Sequence, residues 1–148
     1  MNIVGHSLGG WQAAHLAQQL NEVRCGAVDN LITLDPVGTR YRIKPFGGIK
    51  LAYPKPTAKT WTNIRAESEG VSVNDTIADL GGQWDPSMQN PTYNYILPLD
   101  HAFANSMLTN KIQNGGSELG ESPWDLLIKH YQNLPTNYNF ENAPASKP

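Results

Sequence analysis

Ser7 stands between Gly5 and Gly9 in the stretch NIVGHSLGGWQAAHLA (residues 2–17), where an apolar run ends and a helical pattern begins. A serine hydroxyl is a weak nucleophile until an imidazole takes its proton, and that imidazole works best when a carboxylate orients it. Asp35 closes the next apolar segment, NLITLDPVG (30–38). It would therefore emerge at the same sheet edge as Ser7, where open parallel sheets keep their sites. The competing reading of Asp35 is a turn residue ahead of Pro36. Asp29, at the other end of that segment, reads as a turn residue, and Asp75, Asp79 and Asp85 are the fallback acids. Among the histidines, His101 in LPLDHAFANSM sits between an extended segment and a helix, a loop position suited to shuttling a proton. His6 neighbours Ser7 but faces the wrong way to take its proton and reads as a packing residue. His15, two turns into the helix, reads as a polar surface or interhelix contact, and His130 lies inside a regular helix, a poor place from which to reach a strand end. The helix that starts at Leu8 turns its positive end toward any anion developing at Ser7, with the Leu8 N–H as a donor. Glycine at 5 and 9 is expected because side chains there would collide as strand and helix close on each other. The plainer reading of the same residues is a glycine-rich turn with a capping serine.

These groups must be positioned by regular elements. Asn2 to Gly5 reads as the end of a buried strand, and Leu8 to Asn21 as a helix with Gly9, Ala13, Leu16, Ala17 and Leu20 on its apolar face. Residues 30–38 form a strand stopped by Asp35 and Pro36. Strand, helix, strand in that order predicts a parallel sheet with a crossover helix. A further strand is expected at 59–67, a short helix at 74–80, a loop up to Tyr93 and an extended segment at 94–100. His101 to Asn110 reads as a helix with Phe103 and Met107 on one face. Ser122 to Leu134 reads as another, capped by Ser122, with Pro123 in its first turn and an apolar stripe of Trp124, Leu127, Ile128 and Tyr131. Residues 141–148 read as a frayed tail. With no internal repeat and no domain boundary, the expected organisation is one α/β domain over 1–148, a mostly parallel sheet with flanking helices.

Composition bounds the rest. A chain of 148 residues with 39% hydrophobic and 16% charged content can build a real core. A net charge of −2 gives no case for nucleic acid. Six of the eleven basic residues nevertheless fall within 40–59, interleaved with Tyr41, Phe46, Leu51 and Tyr53. That stretch reads as a solvated loop, or as a surface that meets lipid phosphates or an acidic partner. Cys25 is the single cysteine, so neither an intramolecular disulfide nor a cysteine metal site can form. No apolar run reaches the length of a membrane span, no segment reads as a secretory signal, and the compartment stays open.

GHSLGG (5–10), LDP (34–36) and the late His101 together resemble the α/β-hydrolase superfamily, in its lipase and esterase branch. G-x-S-x-G is the nucleophile elbow of that family, a strand, a strained turn and a helix. The resemblance implies the chain order serine, acid, histidine: Ser7 as nucleophile, Asp35 as acid, His101 as base, and the Leu8 amide in the oxyanion hole. It implies hydrolysis of carboxylic esters, lipid acyl esters among them, without metal or organic cofactor. Phospholipid would follow if 40–59 acts as a lid or membrane-facing flap. Family members carry further strands ahead of the elbow, with the loop that gives a second oxyanion donor. The expectation is therefore the C-terminal part of such a domain, with the elbow strand left as a sheet edge; the other explanation is a natural short form with a rearranged sheet or one completed by a second chain. The alternative is a catalytically inactive remnant, a pseudoenzyme that acts as a binding module.

Overall fold

The computed structural model describes residues 1–23, 28–39, 52–68, 70 and 73–133, with the backbone alone at 75, 77 and 79. Its elements in chain order are β1 (Asn2–His6), α1 (Leu8–Glu22), β2 (Asn30–Leu34), β3 (Thr60–Ala66), α2 (Val73–Gly81), β4 (Tyr93–Leu97), α3 (Ala104–Thr109), β5 (Gln113–Asn114), β6 (Ser117–Glu118) and α4 (Pro123–Gln132). Strands β1-β2-β3-β4 form one sheet in that order, every pair parallel, with Val4, Ile32, Thr62 and Tyr93 side by side. The chain is thus an α/β fold, a parallel sheet flanked by helices. The expected tail at 141–148, Cys25 and residues 40–51 of the basic stretch lie outside the described residues.

The pattern of burial follows from position in the sheet. All five residues of β2 are buried, as a strand covered on both faces requires. On one face Ile3, Leu31 and Trp61 pack with Trp11, Ala14 and Ala17 of α1 and with Trp84. On the other, Ile32, Leu34, Ile64, Tyr95 and Leu97 pack with Met107 and Ile112, and Leu126 and Leu127 of α4 lie against them. β1 has β2 as its sole neighbour among the described strands, and Val4 is 44% exposed at that edge.

Three helix readings are corrected. α1 buries Gly10, Trp11, Ala13, Ala14, His15 and Ala17, whereas Gly9 and Leu16 face outward. The indole of Trp11, edge-on to Trp84 at 5.3 Å, offers the largest apolar surface on the helix and turns that face inward. The helix expected from His101 begins at Ala104, and Phe103 is exposed while Met107 is buried. Pro98 cannot donate to the sheet, the Leu99 N–H turns back to the Leu97 carbonyl at 2.8 Å, and residues up to Phe103 form a loop. In α4, Ser122 caps the helix as its position predicts, accepting from the Asp125 N–H at 3.1 Å. Trp124, Ile128 and Tyr131, however, face out, because the neighbouring Leu126 and Leu127 meet the core. The β5–β6 hairpin was not anticipated, although Gly115 and Gly116, at φ 58° and 85°, are the residues a tight hairpin turn demands.

A polar chain crosses this sheet. The Thr33 hydroxyl accepts from the Trp61 indole at 3.1 Å and donates to Asn63 Oδ1 at 2.7 Å; Asn63 Nδ2 donates to Asn94 at 2.8 Å, and Asn94 Nδ2 to Asp85 at 3.1 Å. Thr33, Asn63 and Asn94 are direct neighbours across three strands, so the chain closes only in this register. Replacing Asn63 by Leu leaves the buried Thr33 hydroxyl without its acceptor and is expected to cost about 2 kcal/mol. Urea unfolding of Asn63→Leu against wild type measures it.

Candidate active site

The chain passes from strand to helix through Ser7 alone, since β1 ends at His6 and α1 begins at Leu8. Ser7 takes φ 56° and ψ −129°, a backbone state that costs a residue with a side chain about 1–3 kcal/mol. Its surroundings hold it there. The Ser7 N–H donates to the Leu34 carbonyl at 2.9 Å, and its own carbonyl accepts from Gly10, Trp11 and Val37 at 3.0, 3.3 and 3.1 Å. A Cβ on Gly5 would lie 2.6 Å from the Gly9 carbonyl carbon and 2.8 Å from the Gly10 nitrogen, and one on Gly10 would lie 3.1 Å from Pro36. Gly9, expected to be needed for the same reason, would meet nothing within 4 Å; the close approach falls on Gly5 and Gly10. Ser7 occupies the N-cap position of α1, but its hydroxyl makes no capping bond. Its Oγ lies 2.9 Å from His101 Nε2 instead, which argues against a merely capping serine.

Asp35 follows β2 directly, at φ 40°, a state that aspartate tolerates better than most residues. Its carboxylate is 1% exposed. Oδ2 lies 2.5 Å from His101 Nδ1, while Oδ1 accepts from the Ala66 N–H at 3.0 Å and from Gln83 Nε2. A carboxylate this deep is tolerable because its oxygens are bonded. A carboxylate only accepts, so the proton of a neutral His101 belongs on Nδ1, and the Nε2 lone pair faces the Ser7 hydroxyl. Hydroxyl, imidazole and carboxylate form one hydrogen-bonded line at the carboxyl ends of β1 and β2, the arrangement that lets an imidazole take a hydroxyl proton.

Gln83 was missed from the sequence. It bonds Asp35 and, at 3.0 Å, the Ala66 carbonyl, and so fixes the carboxylate against β3. Nothing in GGQWDP marks it, because its role depends on where the loop after α2 returns. Gln83→Leu leaves Asp35 Oδ1 with one donor fewer and is expected to cost about 1–2 kcal/mol of stability. Urea unfolding of that variant is the check.

The other candidates lie as follows. Leu8, 40% exposed, follows Ser7, and its N–H stands at the head of α1, where helical amides have no intrahelical acceptor. His6 packs on His101, ring centroids 4.7 Å apart, and its Nε2 also bonds the His101 carbonyl at 2.7 Å, a tie the sequence did not reveal. His15 is buried at 5% exposure, edge-on to Trp11 at 5.3 Å, and so is not a surface residue. His130 lies 3.6 Å from Asp29, at the opposite ends of the strands. The Lys59 ammonium and the N-terminal amine beside Asp29 hold its carboxyl down at about 2. Asp85 is engaged by Arg65, Asn94 and the Ser87 N–H. The side chains of Asp75 and Asp79 lie outside the described residues. Compared with family models, with curated proteins and with solved structures, the chain matches none.

Proposed function

We propose that the chain is a serine hydrolase of carboxylic esters, built on the sheet of an α/β-hydrolase fold. The observation that carries this reading is the unbroken line Ser7 Oγ, His101 Nε2, His101 Nδ1, Asp35 Oδ2, with contacts of 2.9 and 2.5 Å and the serine on a strained strand-to-helix turn. Ser7 Oγ attacks the ester carbonyl as His101 Nε2 takes its proton, and Asp35 stabilises the imidazolium. The oxyanion meets the Leu8 N–H at the head of α1. The imidazolium returns the proton to the departing alcohol, and water, deprotonated by the same nitrogen, releases the acid and restores Ser7. These steps call on no metal or organic cofactor. Exposed Leu8 and Phe103, each next to or near a reacting residue in the chain, support an acyl ester with an apolar chain, lipid esters included. Of 40–59, only residues 52–59 are described, and a membrane-facing role for that stretch rests on its charges and aromatic residues.

A fluorophosphonate probe tests the proposal. Rapid labelling, located to Ser7 by peptide mass spectrometry, supports it; an inert wild type, or labelling that survives in Ser7→Ala, removes it.

The edge of β1, unpaired among the described residues, favours a second reading, a module that acts by binding. The Ser7 N–H bonds the Leu34 carbonyl and the Met1 carbonyl accepts from Asp29, so odd-numbered residues of the strand address β2, and the Val4 amide and carbonyl point away from the sheet. A strand from a second chain would pair there, and in the hydrolase reading it would bring the second oxyanion donor.

A further inference from the structure

We infer that His6 is a positioning residue for His101, an inference that rests on the hydrolase reading and extends its machinery by one side chain. The alternation of β1 sends Ile3 toward α1 and His6 to the other face of the sheet, beneath the loop that carries His101. Two bonds of that loop are internal: Ala102 N–H to Asp100 Oδ1 at 2.8 Å, and Phe103 N–H to the Asp100 carbonyl at 3.0 Å. They shape the loop without relating it to Ser7. The bond from His6 Nε2 to the His101 carbonyl, 2.7 Å long, joins the loop's main chain to the strand that ends in the nucleophile. A carbonyl only accepts, so His6 carries its proton on Nε2.

The ring does a second thing. It lies 4.7 Å from the His101 ring at a tilt of 34°. That ring contact limits how far the His101 imidazole can tip as it accepts the serine proton. Asp35 on Nδ1, Ser7 on Nε2 and His6 on the carbonyl and ring face thus hold the imidazole from three sides. Chemistry through such a ring is sensitive to small displacements, whereas substrate binding is not.

Two variants separate the contributions. His6→Phe keeps a ring and loses the donor; His6→Gln keeps an Nε2–H donor of similar reach. With p-nitrophenyl butyrate as substrate, His6→Phe is expected to lower kcat about tenfold with KM within about twofold, and His6→Gln to recover most of the loss. Rates are compared at equal folded fraction from urea titrations; should His6→Phe not fold, His6→Asn, whose amide is too short, replaces it with the same expectation. A second readout is independent of turnover. The low-field proton resonance of His101 Nδ1–H, assigned by its loss in His101→Ala, should exchange with water about tenfold faster in His6→Phe. Unchanged kcat and unchanged exchange in His6→Phe overturn the inference and leave the hydrolase reading standing. If the wild type neither turns over ester nor labels with fluorophosphonate, the hydrolase reading falls, and proton exchange alone decides: faster in the variant sustains positioning, equal ends it.

Discussion

Removing the Ser7 hydroxyl is expected to lower ester hydrolysis by about three orders of magnitude or more, and combining that change with His101→Ala should add little, because groups that act as a unit lose their effect together. Ser7→Gly sharpens the test. The backbone at φ 56° and ψ −129° strains any residue with a Cβ but is readily adopted by glycine. Ser7→Gly should therefore abolish fluorophosphonate labelling while raising stability by about 1 kcal/mol, whereas Ser7→Ala, with the strain retained, should lose activity without that gain. Unfolding midpoints and labelling of the pair show whether the turn is kept strained for its hydroxyl. Equal stability of the two variants would place the serine conformation outside any trade between function and folding.

The second large effect concerns Gly5. A methyl group there points into the first turn of α1, against the Gly9 carbonyl and 2.8 Å from the Gly10 nitrogen. These are main-chain atoms of a helix whose start is held by Ser7, so they cannot yield without moving Ser7. Gly5→Ala is expected to cost about 3 kcal/mol or more, a large share of the stability of a domain this size, and to reduce labelling of whatever remains folded. Gly9→Ala is the control. Its Cβ enters open space and alanine suits a helix better than glycine, so stability should rise by about 0.5–1 kcal/mol. Circular dichroism during urea titration of both variants measures the contrast.

Much of the site could be read from residue types. Ser7 and Asp35 each close an apolar run, and consecutive parallel strands deliver their ends to one edge, so the two meet as their positions in the chain predict. His101 was legible as a loop residue between two elements. The reach of that loop across the sheet was not, because the fold and not the local sequence determines it. Gln83 and the bond from His6 to the His101 carbonyl escaped for the same reason: each joins segments far apart in the chain. The inward face of α1 is as expected at Ala13, Ala17 and Leu20 but not at Leu16, because a count of apolar positions treats Leu16 and Trp11 alike, while burial went to the larger indole. Asn63 gave no signal either, since an asparagine inside an alternating strand reads as an outward residue until the sheet covers both its faces.

The carbonyl of Ser7 accepts from the amide of Val37 as well as from the start of α1, so serine and aspartate belong to a single early block of the chain, welded where β1 and β2 end. The imidazole arrives separately, on a loop from the far side of the sheet. Lifting that loop a few ångströms would disarm the centre and leave the block intact, with no unfolding of the sheet. The line through Ser7, His101 and Asp35 therefore closes only with the loop of residues 98–103 seated, whereas Ser7 and Asp35 keep their places through β1 and β2 alone.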